Sequence, residues 1–450
     1  MAVASAPLAP NPLGSSLATL TQGASSVPDL FGIRVEFLLF GLTLLGVALF
    51  HHHTLKVALT GLCAILAFRF AYTDFDLVAH LFTGFTGADG HHHEGEWKLL
   101  LNLLGLLLGF ALLAKHFEDS KLPEILPSYL PNGLAGSVAL LCLVFVMSAF
   151  LDNIAAAMIG GTIAKVVYRS RVHIGFLAAI VAAANAGGAG SVVGDTTTTM
   201  MWISGVAWTD VLPAFLAAAA ALVVLGLFGA RAQHALQPIQ RDATAGLTVD
   251  KGRLAVVGLI LVGAVSTNVL LDFPAAGVWA AILIGATFRS TGWHELPGAL
   301  KGSLFLLSLV ISASLMPVDK LPAASWISTL GLGFVSSVFD NIPLTKLAID
   351  QGGYDWALLA FAVGFGGSMV WFGSSAGVAI SNSYPEARSV GAWLRHGWFV
   401  ALAYVVGFFA LYGALGWNPH APIQKHGNAP AHPTAPAETP SSGTEAPTGR

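Results

Sequence analysis

Charge is what this sequence has least of. Asp, Glu, Lys and Arg make up only 10% of its 450 residues, against about 25% in a soluble domain. A chain so poor in charge cannot wet its whole exterior, which excludes an ordinary soluble globule. The net charge of −3 excludes the basic face that nucleic acid would require, so no nucleic-acid partner is expected. Cysteine is nearly absent. Cys63 and Cys142 both stand in apolar runs and read as small buried hydrophobes, not as a disulfide or redox pair. Residues 1–28 carry neither a basic n-region nor a long apolar core, so they read as a disordered tail and not as a signal peptide. Residues 417–450 are rich in Pro, Thr, Ala and Ser and are expected to be a second such tail.

What is present is apolar length. The chain is 55% hydrophobic with mean hydropathy +0.72. Runs near 30–50, 54–72, 98–115, 208–230, 254–271, 274–289, 302–318 and 392–416 each approach the ~20 residues a spanning helix needs. They are continuous, not alternating, which excludes a β-barrel. The expected fold class is an all-α polytopic membrane protein.

Two stretches depart from that pattern in the same way. Ser148-Ala-Phe-Leu-Asp152-Asn153-Ile154 is followed by Gly187-Gly188 and then Gly194-Asp195. Ser336-Ser-Val-Phe-Asp340-Asn341-Ile342 is followed by Gly366-Gly367 and then Gly373-Ser374. Spacing within each part is the same in both copies. Each polar pair sits between apolar arms, 134–151 and 154–168 in the first copy, 326–339 and 342–350 in the second. Each glycine cluster sits between the arms 174–186 and 195–207, or 356–365 and 374–384. Most of these arms are too short to cross about 30 Å of hydrocarbon. Interrupted apolar segments at matching places in two halves point to a transporter built of two repeats, with its site at the interruptions. The expected organisation is a repeat over 29–230 with a hairpin at 134–168 and a broken helix at 174–207. A linker at 231–253 follows, and then a repeat over 254–416 with a hairpin at 326–350 and a broken helix at 356–384.

The distribution of basic residues agrees with that topology. If both hairpins re-enter and both broken helices span, 14 of the 21 Lys and Arg fall on one side, among them Lys115, Lys121, Arg169, Arg253 and Arg289. That side is expected to be cytoplasmic. The two hairpins then enter from opposite faces, as inverted repeats require.

The chemistry at the interruptions is that of oxygen ligands. Asp152, Asn153, Asp340 and Asn341 at hairpin tips supply carboxylate, amide and freed backbone oxygens, which hard cations prefer. Gly187, Gly188, Gly194, Gly366, Gly367 and Gly373 are expected to let the helices unwind and expose backbone groups. Asp195 with Thr196 and Thr197, together with Asn185, extends the first cluster. Ser374 and Ser375 replace the acid in the second. Simple helix capping by Asp and Asn is the alternative, and Thr198 and Thr199 could bond only to their own backbone. Two acids sharing one site can exchange Na⁺ for protons by competition, and Asp152 with Asp195 is the pair expected to do so.

Other features fit this picture less closely. Gly373-Ser374-Ser375-Ala376-Gly377 matches a nucleophile-elbow pattern without its strand-turn-helix context, so no enzymatic activity is expected. His51–His53 and His91–His93 read as solvated loop histidines, with metal binding as the alternative. Lys346 is expected to snorkel to the surface rather than to pair with a carboxylate. No cofactor is expected; Na⁺ and H⁺ would be cargo.

Ser-x-x-x-Asp152-Asn153, Ala-Asn185-Ala-Gly-Gly and Gly194-Asp195-Thr196-Thr197 in the first half resemble the bacterial NhaD-type sodium/proton antiporters of the ion transporter superfamily. Asp340-Asn341-Ile-Pro343 and Gly-Ser374-Ser375-Ala-Gly resemble that family's second repeat. The resemblance covers about 130–210 and 330–400. It implies a homodimer in the cell inner membrane, an elevator-like motion, and ion ligands including Asp152, Asn153, Asp195, Thr196 and Thr197. The chain departs from the family at Gly190-Ser191-Val192-Val193, where a Trp-Ser-Pro-Ile stretch is usual, and at Lys346, where a small apolar residue is expected. Carboxylate carriers of the superfamily have Ser-Asn-Thr at the hairpin tips. Acids at both tips here would repel a carboxylate, so Na⁺(Li⁺)/H⁺ exchange ranks above a citrate-type symporter. A non-transporting receptor would leave the duplicated acids unexplained.

Overall fold

The structure is a computed structural model that describes residues 28–30, 32–50, 53–86, 92, 93, 95–239 and 248–420. The two expected tails fall almost wholly outside the described residues. So do His51, His52, His91 and the side chains of His92 and His93.

Helix dominates, at 76%. Strands β1 (Asp29–Leu30) and β2 (Ile33–Arg34) pair antiparallel ahead of α1 (Val35–Leu49) and α2 (Thr54–Tyr72). A π turn and the short pair β3 (Phe85–Thr86) and β4 (His92–His93) lead into α3 (Trp97–Asp119) and α4 (Leu122–Tyr129). The first interrupted region follows as α5 (Leu134–Ser148), α6 (Asn153–Val167), α7 (Ile174–Ala189) and α8 (Thr196–Ile203). Next come α9 (Trp208–Leu236), α10 (Lys251–Leu271), α11 (Pro274–Ala286) and α12 (Leu296–Ser314). The second interrupted region is α13 (Trp326–Ser336), α14 (Asn341–Gln351), α15 (Trp356–Gly366) and α16 (Ser375–Ser383), and the chain ends in α17 (Val390–Gly397) and α18 (Phe399–Leu415).

Among the described residues five helical segments are long and apolar enough to cross a membrane: Thr54–Tyr72, Trp97–Asp119, Trp208–Leu236, Lys251–Leu271 and Trp293–Ser314. Their outward faces carry Phe70, Val223, Val262 and Val269, each more than half exposed. Such a surface would drive a soluble protein to aggregate, and lipid covers it here. The chain is an all-α polytopic membrane protein.

Three expected spans differ in form. The run at 392–416 is not one straight helix, because α17 and α18 meet at 56°. The runs at 30–50 and 274–289 form helices of only 15 and 13 residues, about 23 and 20 Å long. Arg34 and Phe273-Pro274 fix where those helices start. Cys63 and Cys142 are free thiols as expected, but both are exposed on the outer face and not buried. Next to lipid, a small apolar side chain gains as much outside as inside.

Helices α3, α10 and α11 pack as a unit. The Asn102 side chain accepts from Ala275 N–H (3.2 Å), and Trp279 Nε1 donates to the Gly105 carbonyl (3.0 Å). At the molecule's centre lie α7 and α15. Every residue of α15 is buried, and so is every residue of α7 after Ile174. A helix that is apolar all round belongs in such a place.

Each interrupted region folds back on itself. Tyr168 O–H donates to the Ser137 hydroxyl (2.7 Å), tying the outer ends of α5 and α6 together. Gln351 Nε2 donates to the Pro322 carbonyl (2.7 Å), which does the same for α13 and α14. The first open end lies beside Ile239 and His234, at the end of the molecule where α3 hands over to α4. The second lies beside Glu96, at the opposite end of α3.

Candidate ion-binding site

The helix breaks are built by hydrogen bonding from each polar residue to the turn that follows it. Asp152 adopts φ −54°, ψ 142° and its carboxylate accepts from Ile154 N–H (3.2 Å). Asp340 adopts φ −55°, ψ 139° and accepts from Ile342 N–H (3.0 Å). The broken helices restart in the same way. Asp195 (φ −145°, ψ 140°) caps α8 through Thr197 N–H, and Ser374 (φ −140°, ψ 152°) caps α16 through Gly377 N–H. Capping is therefore part of what these residues do, in matched pairs.

Of the six glycines expected at the breaks, Gly194, Gly367 and Gly373 lie in them, at 190–195 and 367–374, whereas Gly187, Gly188 and Gly366 are still helical. A Cβ at Gly187 would fall on the Phe145 carbonyl oxygen, and one at Gly366 on the Gly333 carbonyl. Gly194 and Gly373, inside the breaks, press in the same way on the Ser148 and Ser337 carbonyls. The absent side chains let each broken helix lie directly on a hairpin arm.

Where these breaks meet there is a cavity of about 400 Å³. Asp152, Asn153, Asp195, Thr196, Asn341 and Ser375 line its polar end. Among the described residues its wall carries no Lys, Arg or His, and its one other charged residue is Glu295. A cavity with three carboxylates and no basic side chain favours a cation and repels an anion.

The remaining expected residues stand behind that wall. Asn153 Nδ2 donates to Asn185 Oδ1 (3.0 Å) and to Asp195 Oδ1 (3.2 Å), and Asn185 Nδ2 donates to the Ser368 hydroxyl (2.8 Å). This buried chain orients Asn153 and Asp195 from the second half of the protein. Asp195 is only 2% exposed, and its Oδ2 has no hydrogen-bond partner among the described residues. The Thr197 and Ser148 hydroxyls are buried and unpartnered too. Such groups are rare in native interiors and call for an explanation. Asp340 and Ser374 cap their helices but do not line the cavity. Thr198 donates to the Ser191 carbonyl, across the break as well as within its own helix, and Thr199 donates to the Val192 carbonyl (2.9 Å). Ser368 and Glu295 were missed as site residues. Ser368 directly follows the second glycine pair, which was the available signal; Glu295 lies outside every motif.

No protein-family model matches the chain. It is 29% identical over 281 residues to Sodium/proton antiporter 1 of Arabidopsis thaliana, covering 52% of this chain and 48% of that one. It is 30% identical over 287 residues to Sodium/proton antiporter 2 of the same plant, covering 52% and 66%. It is 27% identical over 367 residues to the Na(+)/H(+) antiporter NhaD of Vibrio parahaemolyticus, covering 66% and 88%. The chain is a relative of the NhaD-type antiporters. The match spans about half the length of the first plant relative and 66% of the second.

Both departures from the residues usual in the NhaD-type antiporters that the chain resembles have a structural counterpart. Where proline is missing at 190–193, hydroxyls hold the backbone instead: Ser191 Oγ donates to the Ala149 carbonyl, and Thr198 and Thr199 hold the carbonyls of 191 and 192. Lys346 does not snorkel. It is 1% exposed, with its ammonium 2.8 Å from Glu96 and 2.6 Å from Asp350.

Proposed function

We propose that this protein is a multi-pass antiporter of the cell inner membrane that exchanges Na⁺ or Li⁺ for H⁺. The observation that carries the reading is the Asp195 Oδ2 oxygen, buried without a partner beside a cavity that Asp152 also lines. A dehydrated monovalent cation supplies the missing partner, and protons compete with it for the same carboxylates. The names of the relatives, sodium/proton antiporters in plant and bacterium, support the same exchange. Asp152, Asn153, Asp195, Thr196, Asn341 and Ser375 are the proposed contact set, with Asn185, Thr197, Asp340 and Ser374 shaping it from behind.

The two interrupted regions act as inverted repeats in this reading. Their matched backbone angles and their opposite open ends support it. An elevator-like motion and a homodimer complete the proposal. A citrate-type symporter is disfavoured because, among the described residues, no basic side chain lines the cavity wall.

The test is sodium-induced ΔpH in inverted membrane vesicles. Asp152→Asn and Asp195→Asn are expected to abolish the response at normal expression. Na⁺ is expected to raise the melting temperature of the parent and not of Asp195→Asn; saturation at 100-fold over Kd corresponds to about 2.7 kcal/mol. Unaltered exchange in both variants refutes the site.

A further inference from the structure

The cavity is much longer than an ion site requires, and its wall on the helix facing α3 is mostly small residues. Along α3 it runs from Leu103 to Ala114, and along the facing helix from Leu306 back to Glu295. Each stretch corresponds to about 16 Å of helix, roughly half the hydrocarbon thickness. Exposure changes along it. Leu103, Ser303 and Leu306 are buried at the inner end, while Gly298 and Gly302 are exposed and Ala111 and Ala114 half-buried towards the outer end.

Gly298 and Gly302 are not there for close packing. A Cβ built on either meets nothing within 4 Å. Glycine inside a helix costs about 1 kcal/mol relative to alanine, and here no neighbour requires it. What both share is the cavity wall, together with Ala299 and Ser303 one position on. The unpartnered Asp195 oxygen lies at the inner end of the same space.

The outer end is polar. Glu295 follows Gly292, which lies against the Lys115 side chain, and Lys115, Glu118, Asp119 and Arg253 are tied together at 3.0–3.2 Å. His116 bonds Thr291 across the same end. A mouth at that level opens to water and head groups, not to acyl chains.

The geometry points to a one-sided access path: the ion site communicates with the Lys121 face of the membrane through the cleft between α3 and α12, which Gly298 and Gly302 keep open, with Glu295 at its mouth as the first carboxylate a cation meets. At the other end Leu103 and Leu306 close it. This inference rests on the proposed ion site.

The experiment is cysteine labelling with a membrane-impermeant thiol reagent in a Cys63→Ala/Cys142→Ala background, without sodium. Gly302→Cys and Ala111→Cys report on the cleft; both replacements are small, and at Gly302 the space is free. Lys121→Cys and Asp319→Cys, exposed at opposite ends, mark the two faces. Both cleft cysteines are expected to react at least tenfold faster from the Lys121 side. Equal or faster reaction from the Asp319 side, or reaction from neither side, overturns the path. Labelling reads water access whatever the cargo. One-sided labelling in a protein with no sodium-dependent ΔpH would leave the path standing and sink the function, and normal ΔpH without such labelling would do the reverse. Gly302→Trp, which fills the cleft, is expected to cut exchange more than tenfold without lowering the melting temperature.

Discussion

Replacing Lys346 by methionine tests whether a charge in this interior can be removed alone. Its ammonium is shared between Glu96, 250 residues away in sequence, and Asp350 one turn on. The three side chains are 1%, 13% and 23% exposed. In water such a pair would contribute little. Here the medium is apolar, and removing the cation leaves two carboxylates facing each other in it. Breaking a buried pair from one side costs about 3–5 kcal/mol, whereas replacing all partners by neutral groups is often close to neutral. Lys346→Met should therefore melt well below the parent in a fixed detergent. Lys346→Met/Glu96→Gln/Asp350→Asn should recover most of the loss. A single variant as stable as the parent, or a triple variant less stable than the single one, refutes the reasoning.

Other positions give equally direct outcomes. Gly187→Ala should collapse expression and thermal stability, because its methyl lands on the Phe145 carbonyl, whereas Gly302→Ala, with open space, should match or exceed the parent's melting temperature. Asn185→Ala removes two buried hydrogen bonds, about 2 kcal/mol in all. If that loss falls on the positioning of Asn153, the KM for sodium rises roughly thirtyfold. At the Asp250 carboxyl, partial desolvation pushes upward, but the Arg253 N–H, the Arg289 side chain and the Gly252 N–H outweigh it, so it sits below the usual carboxylate range. A depressed carboxyl stabilises the fold above the unfolded value near pH 4 and loses that contribution as pH falls through the folded value. Asp250→Asn keeps the helix cap, so its melting temperature should converge on the parent's as pH drops below about 4.

The helices and both interruptions could be read from the sequence because each depends on neighbours along the chain. An Asp-Asn pair between apolar arms breaks a helix locally, and Asp152 and Asp340 do so with nearly the same angles. What could not be read depends on contacts between distant segments. Of the two partners of Lys346, Asp350 is one turn on but Glu96 is 250 residues away. The glycine pairs looked like points of unwinding, but Gly187 serves a contact with Phe145 on another helix. Glu295 reaches the cavity wall only because α12 lies against α3, and nothing in its own neighbourhood announces that. The 56° bend between α17 and α18, by contrast, falls directly after Arg395-His396-Gly397, a polar interruption of the apolar run that is visible in the sequence.

The unequal halves supply a control inside the molecule. Asp195 and Ser374 occupy matching places, adopt matching angles and cap the helix that follows. Serine and aspartate are near-equal N-caps, so the second half demonstrates that serine supports this backbone. Asp195→Ser should therefore keep α8 folded, with a stability change of about 1 kcal/mol or less. It nevertheless removes the buried carboxylate oxygen that lacks a partner among the described residues, and half of the acid pair on the cavity wall. The expected outcome is a protein that melts close to the parent, is no longer stabilised by sodium, and gives no ΔpH response in vesicles. Loss of the fold in Asp195→Ser would mean that the carboxylate is there for structure. Retained exchange would mean that the cation is held elsewhere.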